Sequence, residues 1–282
     1  MSKRKVQEAN GIPPKQDTMG DDSGSEDDID MIDVDFEWFA PAQHDFHGLK
    51  ALLRQLLDAD NDLLDLSGLA DLILSQPQLG STVKCDGEDS DPYAFLTILN
   101  LTANATNPAV RSLISYLSSR TKTNTSLAQL SDLLSNPDAQ IGLILTERLI
   151  NMPTEIVPPL YTMLMDELST AGNSFTHYLI LSKTYMEVVS ELETADRPKK
   201  KVRQGASGGE EVFYFHAEDE VLQRHAACAG GWDYEKVSEG GADSKRAFQE
   251  EGIQARGHGI LIEGARFEGA VKAVGEYLGA AS

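Results

Sequence analysis

Two β-rich stretches joined by a short acidic loop constrain the fold of this 282-residue chain more than any other feature. The stretch 80–85 (GSTVKC) alternates in character, and 93–101 (YAFLTILNL) is a longer run of aromatic, β-branched and aliphatic residues. Two such runs separated by a loop of about five to seven residues predict a β-hairpin. We therefore expect an antiparallel sheet built around this pair.

Helices and further strands follow one another without strict alternation along the rest of the chain. Asp45 and Asn107 are the expected N-caps of two helices, and Gly172 lies where a third should end. The predicted helices cover 46–57, 66–74, 108–117, 126–134, 155–169, 218–227 and 265–278. The predicted strands besides the hairpin cover 140–145, 177–182, 184–189, 212–215 and 259–263. This order of elements predicts an α+β fold with a largely antiparallel sheet.

Composition divides the chain into an acidic tail and one large domain. Residues 1–33 are polar and densely acidic, which predicts a disordered tail because like charges repel and little apolar surface is available for burial. The tail could dock a basic partner or simply keep the protein soluble. Residues 34–282 are expected to form a single α+β domain, interrupted by a flexible basic and glycine-rich insertion at about 193–210.

The overall charge limits the partners that the protein can bind. Asp and Glu outnumber Lys and Arg by 45 to 24, which gives a net charge of −21. Such a surface repels phosphate backbones and anionic lipids, so basic proteins are favoured over nucleic acids or membranes. Cys85 and Cys228 form no paired motif, and the sequence 1–17 has no signal-peptide pattern. We therefore expect an intracellular protein in a reducing compartment.

Motifs for catalysis, cofactors and metals occur without the context that they require. The segment 205–209 (GASGG) matches a nucleophile elbow, but no strand precedes it, and His44 and His47 have no third ligand nearby. The acids of the hairpin loop lack the closing glutamate of a calcium loop, since Thr97 holds that position. We expect no catalytic, cofactor-binding or metal-binding residues. We interpret the loop as a candidate client-binding surface for a basic partner, with a weak cation site or a merely solvated loop as alternatives. Its acids are Asp86, Glu88, Asp89 and Asp91.

A single basic cluster interrupts the acidic chain. It lies within the expected flexible insertion and consists of Pro198, Lys199, Lys200, Lys201 and Arg203. Extended lysines of this kind are typical of nuclear-import signals. A patch for RNA and a solvated loop are the alternatives. We interpret the cluster as a nuclear-import signal.

Several segments resemble the BCCIP family, in particular its fungal members. The similar segments are 34–39 (VDFEWF), 45–56, 80–84, 91–101 (DPYAFLTILNL) and 258–263 (HGILIE). The resemblance implies a nuclear escort protein that acts as chaperone of a basic large-subunit ribosomal protein and as an adaptor in nuclear export and protein transport. It also implies a twisted, mainly antiparallel sheet flanked by helices, similar to the GNAT acetyltransferase fold.

The acetyltransferase alternative can be tested on the residues themselves. GNAT enzymes bind the pyrophosphate of acetyl-CoA at a glycine-containing turn that opens a helix. The segment that starts at Gln204 has the wrong spacing for this turn. We therefore expect a protein without enzymatic activity or cofactor, located in the nucleus and shuttling to the cytoplasm, whose partners are a basic client and nuclear transport receptors. A diverged acyltransferase and a scaffold in cell-cycle or DNA-repair signalling are the alternatives.

Overall fold

The computed structural model describes residues 35–122, 124–187, 212–235 and 253–279. The predicted acidic tail at 1–33 and the predicted insertion at 193–210 lie outside the described residues. The basic cluster within that insertion therefore also lies outside them, with Pro198, Lys199, Lys200, Lys201 and Arg203. Within the described ranges, no helix combines the length and apolar character needed to cross a lipid bilayer.

The centre of the fold is an open, mixed sheet of eight strands. In chain order the strands are β1 Glu37–Phe39, β2 Gly80–Lys84, β3 Ala94–Asn100, β4 Ile141–Arg148, β5 His177–Glu187, β6 Val212–Tyr214, β7 Cys228–Trp232 and β8 Ile253–Glu263. Their order across the sheet is β1-β2-β3-β4-β5-β8-β7, with β6 as an additional neighbour of β5. Among these pairings only that of β4 with β5 is parallel. The prediction of an α+β fold with a mainly antiparallel sheet is confirmed, as is the hairpin of β2 and β3.

Seven α-helices cover the two faces of the sheet in the described residues. They are α1 Phe46–Leu57, α2 Leu66–Leu74, α3 Pro108–Thr121, α4 Ala128–Leu134, α5 Val157–Ala171, α6 Ala217–Arg224 and α7 Gly264–Gly279. Leu143 and Leu145 of β4 belong to a core shared with α1 to α4, whereas Ile144 between them belongs to a core shared with α5 to α7. This period of two is that of a strand buried on both faces. The fold therefore has three layers, with the sheet between two layers of helices.

The ends of several helices follow signals in the local sequence. As predicted, the Asn107 side chain accepts a hydrogen bond from the Ala109 N–H at 2.9 Å, and Gly172 ends α5 with a positive φ of 65°. Asp45 precedes α1, as predicted, but its carboxylate does not cap that helix. It accepts a hydrogen bond from the Ala42 N–H at 2.9 Å instead. The buried Lys84 pairs with the same carboxylate.

The strand predictions were wrong at β5 and omitted β1 and β7. Of the two predicted strands, residues 177–182 and 184–187 form the single strand β5, because Lys183 continues the pairing with β8 instead of ending it, and residues 188–189 lie outside the described residues. β7 was not predicted, since its sequence CAGGW contains two glycines, which disfavour strands. Packing compensates for the weak propensity: Trp232 covers Gly257 of β8 so closely that a Cβ atom there would come within 2.5 Å of the indole nitrogen.

The parallel strands β4 and β5 part after a short pairing. They pair only over 141–145 and 177–181. On its other edge, β5 pairs with β8 along its whole length. Where β4 leaves β5, β6 takes its place and pairs with residues 184–186 of β5. The end of β4, residues 146–148, stays paired with β3. We call this point of divergence the splay.

Candidate protein-binding surface

The four predicted client-binding residues lie together in one exposed loop. Residues 85–92, named the acidic loop here, lead from the end of β2 to Tyr93, which directly precedes β3. Its exposed acids are Asp86, Glu88, Asp89 and Asp91. The loop is closed on itself, because the Ser90 N–H and Oγ both donate to the Gly87 carbonyl oxygen, at 3.2 and 2.8 Å. The carboxylates are therefore presented by a structured loop.

A buried ion pair anchors the acidic loop from below. Lys84, the last residue of β2, is fully buried, and its Nζ lies 2.6 Å from Oδ1 of Asp45, which is also fully buried. The same Nζ donates to the carbonyl oxygen of Glu88. His44 Nε2 lies 2.8 Å from that oxygen and 3.0 Å from Lys84 Nζ. The backbone of Glu88 is thus tied inwards while the residue stays exposed.

This anchor makes the position of the loop depend on charge pairing in the interior. A buried ammonium and a buried carboxylate each lose hydration worth several kcal/mol, which a close partner of opposite charge has to offset. Asp45 provides the close partner, because its Oδ1 lies 2.6 Å from Lys84 Nζ while its Oδ2 accepts the Ala42 N–H. We infer that the acidic loop keeps its shape as long as this pair is intact.

An exposed apolar turn lies beside the acidic loop. The Leu149 N–H donates to the Tyr93 carbonyl oxygen at 2.9 Å, and the Met152 N–H closes the turn on the Leu149 carbonyl oxygen at 3.0 Å. Residues 149–152 are named the Ile150 turn below. Ile150 is 87% exposed and Leu149 is 39% exposed. This exposure was not predicted from the sequence, because a Leu-Ile pair ordinarily indicates burial.

The splay is filled by buried charged side chains. Oε2 of Glu147 on β4 lies 2.7 Å from Nζ of Lys183 on β5, and Oε1 lies 3.0 Å from Nε2 of His216. Lys183 Nζ also donates to the carbonyl oxygen of Gln55 on α1, at 2.9 Å. Glu147, Lys183 and His216 are all buried. One carboxylate therefore binds two bases at the point where the strands part.

Arg148 extends this group of charges to α6. Its guanidinium forms a two-point ion pair with the carboxylate of Glu218, and its carbonyl oxygen accepts from Gln55 Nε2 at 2.8 Å. The adjacent Asp219 accepts a hydrogen bond from Ser182 Oγ on β5. The group fastens α1, α6, the end of β4 and the middle of β5 to one another. We name it the splay cluster, and its charged members are Glu147, Arg148, Lys183, His216, Glu218 and Asp219.

The splay cluster shifts the pKa values of its acids in opposite directions. Burial alone would raise the pKa of Glu147, but the hydrogen bond from His216 and the charge of Lys183 lower it to about 2. Burial, reinforced by the charge of Glu218, raises the pKa of Asp219 to about 7. Burial lowers the pKa of His216, but the hydrogen bond to Glu147 and the nearby carboxylates raise it overall. Glu147 is therefore ionised at neutral pH, where Asp219 titrates.

We expect Asp219→Asn to flatten the pH dependence of stability between about pH 4 and 7. An acid whose pKa rises from 3.8 to about 7 on folding stabilises the folded state fully below pH 3.8, and this contribution is lost as the pH rises to about 7. An asparagine at this position does not titrate and can still accept the hydrogen bond from Ser182. Urea unfolding from pH 4 to 8 measures the effect, and the midpoint should vary less in the variant than in the wild type.

Glu220→Gln provides the matched control for this measurement. Glu220 is the next residue of α6, but it lies at the surface and pairs with Arg224. Its replacement should leave the pH profile of the wild type in place. A profile for Asp219→Asn that coincides with that of the wild type would contradict the raised pKa.

The remaining chemical groups give no sign of a reactive centre in the part of the chain that the structure describes. There, no three histidine, cysteine or acidic side chains are placed to hold a metal ion. Cys85 and Cys228 are free thiols whose pKa values are raised chiefly by burial. A raised pKa keeps a thiol protonated and weakly nucleophilic.

Known proteins similar to this chain agree on one family. The family model described as BCCIP matches residues 31–222, which include the acidic loop, the Ile150 turn and the splay cluster. Protein bcp1 of Emericella nidulans is 57% identical over 262 residues, with 90% of each chain covered. Protein BCP1 of Gibberella zeae is 50% identical over 286 residues, with 99% of each chain covered. The crystal structure of BCP1 from Saccharomyces cerevisiae matches with a TM-score of 0.59 and 28% identity, covering 90% of this chain and 91% of that chain.

Proposed function

This chain belongs to the BCCIP family, and from this premise we propose that it is a non-enzymatic escort protein that binds a basic client protein through its acidic loop. One observation carries the proposal: four exposed carboxylates stand on a loop whose backbone is tied to a buried ion pair. A preformed anionic surface attracts cationic side chains and loses little conformational entropy on binding.

The client that suits this surface best is a basic protein destined to bind RNA. A large-subunit ribosomal protein contacts phosphates through lysines and arginines, and carboxylates that cover those side chains would prevent aggregation and wrong contacts before assembly. We propose chaperoning of such a protein in the nucleus, together with a role as adaptor in nuclear export. The basic cluster at 198–203 would then be the signal that import receptors read.

The splay cluster favours a structural role for its charged groups. Glu147 is paired with Lys183 and His216, and Glu218 with Arg148. Groups that bind one another in this way hold the fold together, so we propose that the protein has no enzymatic activity. The similarity to the GNAT acetyltransferases stays a prediction, and the diverged acyltransferase is the competing candidate. Titration calorimetry with acetyl-CoA tests it, and stoichiometric binding would favour the enzyme.

Neutralising the acidic loop is expected to weaken client capture about fourfold or more, since four exposed ion pairs together contribute about 0.8–4 kcal/mol. The variant keeps the side-chain sizes but removes four negative charges, by Asp86→Asn, Glu88→Gln, Asp89→Asn and Asp91→Asn. Exposed ion pairs contribute about 0.2–1 kcal/mol each, and about 1.4 kcal/mol corresponds to a tenfold change. The measurement is an affinity pull-down of the tagged protein at moderate salt, with the bound proteins quantified by mass spectrometry.

A second variant separates the loop from the net charge of the protein. Like the loop variant, it replaces three aspartates and one glutamate, but these residues are exposed on other parts of the chain and the acidic loop is unchanged. The substitutions are Asp132→Asn, Asp138→Asn, Asp166→Asn and Glu268→Gln. We expect it to capture the client as the wild type does. A basic ribosomal protein bound in stoichiometric amount to the wild type and released by salt would support the proposal. Scattered weak partners, or equal losses in both variants, would contradict it.

A further inference from the structure

Ile150 is the most exposed large apolar residue in the described part of the chain, at 87%. Leu149 beside it is 39% exposed. An apolar side chain that stays in water contributes nothing to folding through burial, whereas covering it with a partner removes apolar area from water and is favourable. The tip of the Ile150 turn is therefore available for contact with another molecule.

The chain on both sides of the Ile150 turn is fixed. Before the turn, Arg148 is held by the Glu218 carboxylate and by the side chain of Gln55. At the end of the turn, Met152 packs against the core shared with α5 to α7. Ile150 cannot enter the interior without breaking these contacts. Its exposure is thus a property of the folded chain and provides a preformed contact.

Tyr93 joins the Ile150 turn to the acidic loop. Its carbonyl oxygen accepts the Leu149 N–H at 2.9 Å, and its hydroxyl donates to Oδ2 of Asp86 at 3.4 Å. The charge of Asp86 and, more weakly, that of Asp91 raise the pKa of Tyr93, as expected for a hydroxyl near both carboxylates. An exposed apolar tip and a set of exposed carboxylates therefore flank one tyrosine at the same end of the sheet.

We propose that the Ile150 turn is the apolar half of a docking surface whose charged half is the acidic loop, and that its occupant is a lysine- or arginine-rich protein segment with an apolar side chain that covers Ile150. The inference rests on the proposed function and specifies the sequence that a client presents. The apolar contact adds a requirement that charge alone lacks, because any polycation would satisfy the carboxylates but only some segments carry an apolar residue among the cations.

Charge complementarity favours a basic protein segment over a nucleic acid, an anionic membrane or a second copy of this chain. A nucleic acid or an anionic membrane would bring its phosphates against Asp86, Glu88, Asp89 and Asp91. A second copy of the chain carries the same net charge of −21 and would bring one acidic loop near another. A basic protein segment can cover Ile150 and neutralise the loop at the same time.

The test uses two fluorescent lysine-rich peptides of equal length and charge, one with leucines between the lysines and one with serines at those positions. Binding to the full-length protein is followed by anisotropy. We expect the wild type to prefer the leucine peptide about tenfold, the size of effect that burying one aliphatic side chain can produce. Ile150→Ser should abolish this preference and leave the affinity for the serine peptide unchanged.

Val212→Ser is the matched control, because Val212 is also an exposed aliphatic residue, at 41%, on a different element. It should keep the preference of the wild type. Equal affinities of the wild type for both peptides, or a preference that survives Ile150→Ser, would overturn this inference and leave the proposed function standing. Failure of both peptides to bind, or unchanged binding after the loop is neutralised, would overturn the proposed function as well.

Discussion

Lys84→Met is expected to lower the free energy of unfolding by about 3–5 kcal/mol, because it leaves the carboxylate of Asp45 buried without its counter-charge. Both side chains are fully buried, and Lys84 Nζ lies 2.6 Å from Asp45 Oδ1. Methionine fills a similar volume, so the loss would report on the charge rather than on a cavity. Urea unfolding followed by circular dichroism gives the change in free energy.

The double variant Asp45→Asn with Lys84→Met is the control for this result. An asparagine at position 45 can still accept the Ala42 N–H and leaves no buried charge, so most of the lost stability should return. Lys84→Met should also release the backbone of Glu88, which would appear as faster amide hydrogen exchange at Ser90 and Tyr93. A free energy of unfolding of Lys84→Met within about 1 kcal/mol of the wild type would show that the ion pair does not stabilise the fold in this way.

Glu147→Gln is expected to lower the free energy of unfolding by a similar amount, about 3–5 kcal/mol at neutral pH. The substitution keeps the shape of the side chain but removes the only negative charge of the ion pair with Lys183, and it weakens the hydrogen bond from His216. A buried ammonium without a counter-charge is strongly unfavourable. Chemical unfolding at pH 7 measures the effect.

The same carboxylate makes an acid-dependent contribution that the variant lacks. Because its pKa is lowered from 4.5 to about 2 on folding, ionised Glu147 contributes stability above pH 4.5, and this contribution is lost as the pH falls from 4.5 to about 2. The difference in free energy of unfolding between the wild type and Glu147→Gln should therefore disappear over this pH interval. Glu155→Gln, at an exposed position, should track the wild type throughout. A difference in free energy of unfolding that stays constant with pH would contradict the lowered pKa of Glu147.

Local sequence signals predicted the parts of the fold that arise from neighbouring residues. The hairpin of β2 and β3 and the span of α1 depend on the period of apolar residues and on a short connection. β7 was not predicted because its two glycines disfavour a strand, and packing against β8 is what stabilises it. The continuity of β5 through Lys183 was missed because the ion pair that makes a buried lysine tolerable involves Glu147, far away in the sequence.

The negative charge of the candidate surface was predicted from the sequence, but the buried ion pair that supports the loop was not. The density of acids in a hairpin loop was visible in the sequence, and the structure brings all four into one exposed loop. The lysine beneath them was not recognised, because a lysine at the end of a strand ordinarily lies in water, and its partner Asp45 lies far from it in the sequence. Exposure of Ile150 likewise depends on the contacts of Arg148 and Met152.

The position of β5 has a consequence for the making of the protein. β5 lies inside the sheet, yet its residues 177–187 pair over their whole length with 253–263 of β8. During translation this edge of β5, with Leu179 and Leu181, stays without its neighbour until residue 263 has left the ribosome. An unpaired apolar edge can pair with other chains. The newly made polypeptide is therefore exposed to aggregation until β8 has emerged and paired with β5.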